Sequence, residues 1–304
     1  MRGFRSLALN RVQADSVLLL TAAIWGGGFA AQRIAAQYLG PLVINGIRFL
    51  LAAACLLPLV QFRPKICRQV LPGVLLAGIC LTVATNFQQL GLRYTTAGNA
   101  GFITSLYVIL VPFFLAIFWH ETIHWYSYLA ALIAVGGMFL INTGGVVSVS
   151  SGDLFELAGA VFWALHVIVI GITVRRMDVL SFSIGQFAFC GIVNLLFGLF
   201  IETIQVDSLV HAGWALLYAG IISGGIGYTL QALGQKFSPS SDAALILSLE
   251  AVFAALFGFL FLQEEATLTQ IIGYALILIA IFFAQRMRPG ESSLKDGQTS
   301  ATSR

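Results

Sequence analysis

Apolar segments alternate with short polar connections along almost the whole chain. About 20 apolar residues are needed for a helix to cross the hydrocarbon core of a bilayer. The pattern predicts ten such helices, at residues 16–31, 41–60, 71–92, 96–119, 125–142, 154–174, 181–201, 213–232, 241–262 and 268–283. We therefore expect an all-α integral membrane protein with ten transmembrane helices, numbered here as spans 1 to 10.

The spans fall into two groups of five. Spans 1–5 lie in residues 16–142 and spans 6–10 in residues 153–286, with a linker rich in Gly, Ser and Val at 143–152. Residues 1–15 form a short basic N-terminus, and residues 287–304 are polar, which predicts a disordered tail.

The two groups resemble each other in sequence. Shifts of 143 or 138 residues align Gln88 with Gln231, Glu121 with Glu264, and Trp25 with Trp163. Because five is an odd number, the second group must enter the membrane in the opposite direction. We therefore expect two inverted five-helix repeats, related by a pseudo-twofold axis in the membrane plane.

Composition and charge agree with a membrane protein and set its orientation. Hydrophobic residues make up 59% of the chain and charged residues 10%, which excludes a water-soluble globule. Most basic residues fall on the side of the two termini, whereas Arg33 and Arg93 fall on the other. The positive-inside rule thus predicts a multi-pass protein of the cell inner (plasma) membrane with both termini in the cytoplasm. The basic residues form no continuous patch, so we expect no nucleic-acid partner.

Polar and aromatic side chains within the spans are the candidates for contact with a small-molecule substrate. On spans 3 and 4 they recur at helical spacing, which predicts that they face the bundle interior. The candidate substrate-binding residues are Trp25, Asn86, Gln89, Thr104, Tyr107, Trp163, His166, Tyr228 and Gln231. The alternative for each is a hydrogen bond between helices that only holds the bundle together.

Three ionisable residues in the spans are considered separately. Glu250 either carries a proton or cation in a water-filled cavity, which makes it the candidate coupling residue, or is a structural carboxyl group. Arg48 cannot shed its charge and is expected to be a structural or gating residue. His166 is either a substrate ligand or a core histidine.

Glu121 and Glu264 each follow a span and are expected to fix the next turn by accepting backbone hydrogen bonds, again a structural or gating role. His120 and His124 flank Glu121, but their spacing matches no zinc pattern, so we expect no metal. The sequence contains no ATP-binding or catalytic motif, and we expect no cofactor and no enzymatic activity.

Several short motifs resemble those of a known family. They are Trp25-Gly26, Arg48-Phe49, Leu90 to Thr95, Pro112 and Glu121 in the first half, and Gln235 to Pro239, Ala243 to Leu245, Leu249-Glu250, Glu264 and Gly273 in the second. The chain thereby resembles the ten-helix EamA type of the drug/metabolite transporter (DMT) superfamily. It departs at Ala251, where many relatives have a proline.

The resemblance implies an exporter of small metabolites, often amino acids or related compounds, that works by alternating access. It also implies a cavity lined by spans 1, 3, 4, 6, 8 and 9, with spans 2 and 7 supporting it and spans 5 and 10 joining the halves or partners.

The substrate class follows from the charges in the spans. Arg48 is the only cation available there, so a neutral or zwitterionic solute is favoured over a phosphorylated one. We expect alternating access with Glu250 as a proton carrier, the lipid bilayer as surroundings, and a monomer or homodimer. Two alternatives are an integral membrane enzyme acting on lipids or isoprenoids, and a non-transporting subunit.

Overall fold

The computed structural model describes residues 9–143, 150–262 and 267–286, and in these ranges it contains helices and no strand. The helices are α1 (Arg11–Ala35), α2 (Pro41–Leu56), α3 (Leu71–Gly91), α4 (Ala97–Thr104), α5 (Tyr107–Phe118), α6 (Trp125–Thr143), α7 (Ser151–Thr173), α8 (Val179–Ile201), α9 (Val206–Leu217), α10 (Tyr228–Phe237), α11 (Ser240–Leu247), α12 (Glu250–Leu262) and α13 (Leu268–Arg286). The tail 287–304 and most of the predicted linker lie outside the described residues.

Within the described residues, eight helical segments are long and apolar enough to cross a membrane. They are Arg11–Ala35, Pro41–Val60, Leu71–Gly91, Ala100–Phe118, Ser151–Arg176, Val179–Ile201, Val206–Phe237 and Ser240–Phe257. Two shorter apolar helices lie at Trp125–Gly137 and Ile271–Ala280. Large apolar side chains also point outward, including Phe200 at 88% and Val206 at 77% exposure. Such a surface suits lipid and not water, as expected of a multi-pass membrane protein.

Two helices begin earlier than the hydrophobic pattern predicts. Helix α1 starts at Arg11, five residues before the predicted span, because Asn10 and Gln13 form a reciprocal capping box at its N-terminus. Helix α9 starts at Val206, and Asp207 in its first turn pairs with His211 in the next turn as an i,i+4 pair. In both cases local capping and pairing extend a helix into a segment that is too polar to be recognised by hydropathy.

The fourth and ninth spans are each broken into two helices. The breaks fall at Ser105-Leu106, between α4 and α5, and at Ser248-Leu249, between α11 and α12. They are 143 residues apart (248 minus 105), which is the shift found in the sequence. The Ser248 hydroxyl donates to the carbonyl of Leu245 at 2.7 Å, a local bond that competes with the helical ladder.

The eighth span contains a wide, π-helical segment at Tyr218–Gly227. Its glycines allow α2 to pack closely, because a Cβ atom at Gly220 would lie only 3.0 Å from the carbonyl oxygen of Arg48. Single-turn π segments in other proteins often mark functional sites. Here the segment packs against both α1 and α2.

The helices pack mainly in four pairs, α2 on α8, α3 on α7, α1 on α12 and α6 on α13. The α2–α8 pair is tied at both ends. At one end the Glu202 carboxylate accepts the backbone N–H groups of Leu42 and Val43 at 3.0 and 2.9 Å. At the other, the backbone N–H of Lys65 donates to the Ser181 hydroxyl at 2.9 Å. This pair therefore forms a firm side wall of the bundle.

Candidate functional site

A small central cavity lies between α1, α3, α7, α10 and the two broken spans. It is lined by seven of the residues singled out in the sequence, namely Trp25, Thr104, Tyr107, Trp163, Tyr228, Gln231 and Glu250. The space open to the centre of a water molecule is only about 20 Å³, which is enough for about one water. The cavity is therefore closed to any organic solute in this conformation.

Three aromatic rings form one wall of the cavity. The ring centroids of Trp25 and Tyr228 are 4.6 Å apart, and Trp163 stacks on Tyr228 at 5.9 Å. The indole N–H of Trp25 donates to the Ser223 carbonyl in the π-helical segment at 3.2 Å, and that of Trp163 donates to Gln88 Oε1 at 3.0 Å. Both indoles are thus held at fixed angles, and their faces can bind a cation or an apolar group.

A chain of amides continues from this wall to the buried Arg48. Gln88 Nε2 donates to Gln32 Oε1 at 3.3 Å, and the same oxygen accepts a short hydrogen bond from Arg48 Nη1. The Arg48 guanidinium also lies 4.5 Å from the centroid of the Phe49 ring, and the Tyr228 hydroxyl is beside it. Within the described residues Arg48 forms no ion pair, so its charge is balanced by dipoles and an aromatic face.

Glu250 lies at the break of the ninth span, as the first residue of α12. It is 3% exposed, and its Oε1 accepts a hydrogen bond from the Ser105 hydroxyl at 3.3 Å across the break of the fourth span. The Tyr107 side chain faces the same carboxyl group. The helix N-terminus offers a partial positive charge, which favours a carboxylate or a polar ligand there.

A second buried carboxyl group, Glu156, was missed in the sequence. It is completely buried on α7, and its Oε2 accepts a hydrogen bond from Thr104 Oγ1 at 3.0 Å. Thr104 therefore bonds to Glu156, and the adjacent Ser105 bonds to Glu250. The available signal was a lone glutamate in an apolar span. Its position near the start of that span indicated the membrane interface and not the bundle interior. In the described part of the chain neither carboxyl group has an ion-pair partner.

Three other candidates do not line the cavity. Asn86 bonds to Asn45 at 2.8 Å and to Asn194 at 2.7 Å, in an amide cluster that links α2, α3 and α8. Gln89 Nε2 donates to the backbone carbonyl of Gln32 at 3.1 Å, while a ring nitrogen of His166 lies 2.8 Å from an oxygen of Gln186.

These contacts fit the alternative that such polar groups hold helices together. The remaining candidates lie elsewhere. Glu121 is exposed in the α5–α6 connection, where its backbone N–H bonds to the Leu115 carbonyl at 3.1 Å. Glu264 lies outside the described residues. Over the ranges that the structure describes, no three His, Cys, Asp or Glu side chains come together as a metal site.

Five lining residues were not among the sequence candidates: Phe29, Gln32, Gln88, Val167 and Ser223. Phe29 and Val167 carry no polar signal, and Ser223 lies in the π-helical segment, where α-helical spacing does not apply. Helical spacing singled out Gln89 on α3, whereas the residue that lines the cavity is the adjacent Gln88.

Comparison with known proteins gives a consistent result. The chain matches the EamA-like transporter family twice, over residues 13–143 and 150–285. It is 32% identical over 279 residues to an uncharacterized transporter of Archaeoglobus fulgidus, covering 90% of this chain and 86% of that protein. It is 21% identical to the uncharacterized transporter YoaV of Bacillus subtilis, covering 85% and 92%.

A solved crystal structure superposes with a TM-score of 0.76 at 19% identity, covering 90% of this chain and 99% of the other, which shows a shared fold. The family matches together cover most of the chain, including every helix that contributes to the cavity. Helical architecture, apolar surface and sequence relationship agree, and this chain belongs to the EamA-like transporter family of the DMT superfamily.

Proposed function

We propose that the protein is a secondary transporter, working as an exporter, that moves a small neutral or zwitterionic metabolite such as an amino acid through the central cavity. The observation that carries the proposal is the meeting of two broken helices at a buried carboxyl group. Ser105, at one break, donates to Glu250, at the other. Broken membrane helices that meet near mid-bundle are the usual construction of a transporter substrate site.

The chemistry of the lining supports the substrate class. Its polar groups are amides, hydroxyls and one carboxyl group, and its largest surfaces are aromatic. A substrate ammonium group can bind between Glu250 and the faces of Trp25 and Trp163. Arg48 does not line the cavity but contacts Gln32 and Tyr228, which do, so a phosphorylated substrate would lack a direct cation.

The small size of the cavity supports alternating access. A pocket with room for about one water cannot admit an amino acid unless helices separate. We propose ten spans in two inverted five-helix repeats that rock about the cavity. The protein would lie in the cell inner (plasma) membrane with both termini in the cytoplasm. The break positions 143 residues apart and the double family match support this arrangement.

We also propose that Glu250 carries the coupling proton. It is buried without an ion-pair partner in the described residues, and an ionised carboxylate in such a place is costly. Proton binding removes the cost, and the Ser105 hydroxyl can bond either form. Exchange of a proton for a substrate ammonium group at Glu250 would link the two movements.

The test is transport in proteoliposomes. The wild type, Glu250→Gln and Asp207→Asn are reconstituted, and accumulation of labelled amino acids and related metabolites is followed with and without a pH gradient. Asp207 is an exposed acid distant from the cavity, so it controls for loss of one negative charge.

The expected result is that the wild type and Asp207→Asn accumulate a solute with the gradient. Glu250→Gln is expected to perform exchange without accumulation, because its amide oxygen still accepts from the substrate ammonium group but cannot bind and release a proton. Equal gradient-driven accumulation by Glu250→Gln would refute the coupling role. Folded wild-type protein that moves none of the neutral and zwitterionic solutes would refute the proposed substrate class.

A further inference from the structure

A groove much larger than the central cavity lies at the basic end of the bundle. It occupies about 520 Å³ between the end of α2, the connection from α7 to α8, and α10. Nothing in the proposed transport path uses it. We call it the basic groove, and its mouth is formed by Arg175, Arg176 and Lys236.

The inner walls of the basic groove are apolar. Leu230 and Leu233 of α10 line the groove three residues apart, on one helical face, and Ile226, near the end of the π-helical segment, lines it with them. Leu56 and Leu59, at the end of α2 and just after it, also line the groove. Ile226 is 41% and Leu59 60% exposed, so the groove opens onto the surface that contacts lipid. It therefore has the shape and polarity to hold a hydrocarbon chain.

The mouth of the groove carries a net positive charge. Arg175 and Arg176 are exposed, and neither forms an ion pair with the residues that the structure describes. Lys236 Nζ donates to the Met177 carbonyl at 3.2 Å, which fixes the ammonium group at the rim. Asp178 is the one acid in the lining, and its carboxylate already accepts bonds from the N–H and hydroxyl of Ser181 at 2.9 Å.

We infer that the basic groove binds one anionic phospholipid, with its phosphate between Arg175 and Arg176 and an acyl chain along Ile226, Leu230 and Leu233. Both parts of the ligand are needed to match the site. A soluble phosphate would leave the apolar stripe uncovered, and a zwitterionic lipid would leave the arginine charges uncompensated. Basic pockets between membrane helices are a known way of holding anionic headgroups.

Lipid retention measured by native mass spectrometry tests the inference. Delipidated protein in neutral detergent is mixed with phosphatidylglycerol or phosphatidylcholine of the same chains. The groove variant is the double substitution Arg175→Gln/Arg176→Gln. The matched control is Arg63→Gln/Arg68→Gln, which removes two exposed charges from the connection after α2, outside the groove lining.

The wild type and the control are expected to retain phosphatidylglycerol in preference to phosphatidylcholine. Two arginines at about 1 kcal/mol each correspond to about 30-fold, so the groove variant is expected to lose phosphatidylglycerol affinity by about that factor. An equal loss of phosphatidylglycerol affinity in both double variants would show that the overall positive charge attracts the lipid, and would overturn the inference. No loss in either would overturn it as well.

A second variant separates the lipid from a free anion. Leu230→Trp fills the apolar stripe and leaves all three cations in place, so it is expected to reduce phosphatidylglycerol binding as well. Glycerophosphoglycerol, the headgroup without acyl chains, is expected to compete poorly with the lipid. Full competition by this headgroup, or unchanged lipid binding by Leu230→Trp, would show an anion site and would overturn the lipid assignment.

Discussion

Replacing Gln32 tests how the helix bundle stabilises the buried charge of Arg48. The Gln32 side-chain oxygen accepts from both Arg48 and Gln88, while two other nitrogens of the guanidinium have no hydrogen-bond partner in the described residues. Gln32→Leu keeps the side-chain size and removes the acceptor. A hydrogen bond to a charged group contributes about 1.5–3 kcal/mol, and a neutral bond between membrane helices about 0.6 kcal/mol. The free energy of unfolding of the variant should therefore be about 2–4 kcal/mol below that of the wild type.

The assay is equilibrium unfolding in mixed micelles, followed by circular dichroism as a denaturing detergent is added. Gln37→Leu is the control, because Gln37 is exposed just after the same helix. Gln32→Glu keeps the acceptor and adds a negative charge beside Arg48, so it should be at least as stable as the wild type. If Gln32→Leu unfolds at the same point as Gln37→Leu, then Gln32 does not compensate the buried charge.

Three further outcomes are expected from the same unfolding assay. Gly26→Ala should destabilise the protein by about 1–3 kcal/mol, because its Cβ would meet the backbone of α12, whereas Gly213→Ala, with open space around it, should change little. Glu202→Ala should cost about 1–2 kcal/mol through loss of the cap on α2, and an unchanged midpoint would contradict that role. Glu156→Gln should stay within about 1 kcal/mol of the wild type, since an amide oxygen still accepts from Thr104, whereas Glu156→Leu should be less stable. Equal losses in both Glu156 variants would show that the carboxyl group itself is needed.

The membrane class and the approximate position of each helix could be predicted from the sequence, because a bilayer imposes a length and a polarity on every span. The two breaks could not. Ser105-Leu106 and Ser248-Leu249 contain no glycine or proline, and Pro112 lies inside an intact helix. At the first break the Ser105 hydroxyl bonds to Glu250, a partner set by tertiary packing, whereas at the second the Ser248 hydroxyl bonds locally to the Leu245 carbonyl.

The candidate site could be predicted only in part, because tertiary packing also decides which polar residues meet at the cavity. Trp25, Trp163 and Glu250 stand out as unusual residues in apolar helices, and all three line the cavity. Asn86 is equally unusual in an apolar helix, yet it faces α2 and α8. A polar stripe that holds several residues is wide, and a wide stripe contacts more than one neighbouring helix. Hydrophobic periodicity identifies the inward side of a helix and does not identify which inner neighbour each residue meets.

The α2–α8 pair has a mechanical consequence. Glu202 holds one end, and the bond from Lys65 to Ser181 holds the connection that follows α2 against the start of α8. Between them, a Cβ at Gly46 would lie only 2.8 Å from the Leu195 backbone. These contacts oppose sliding of α2 along α8. In the alternating access proposed above, this pair would therefore stay fixed as one unit while other helices move against it.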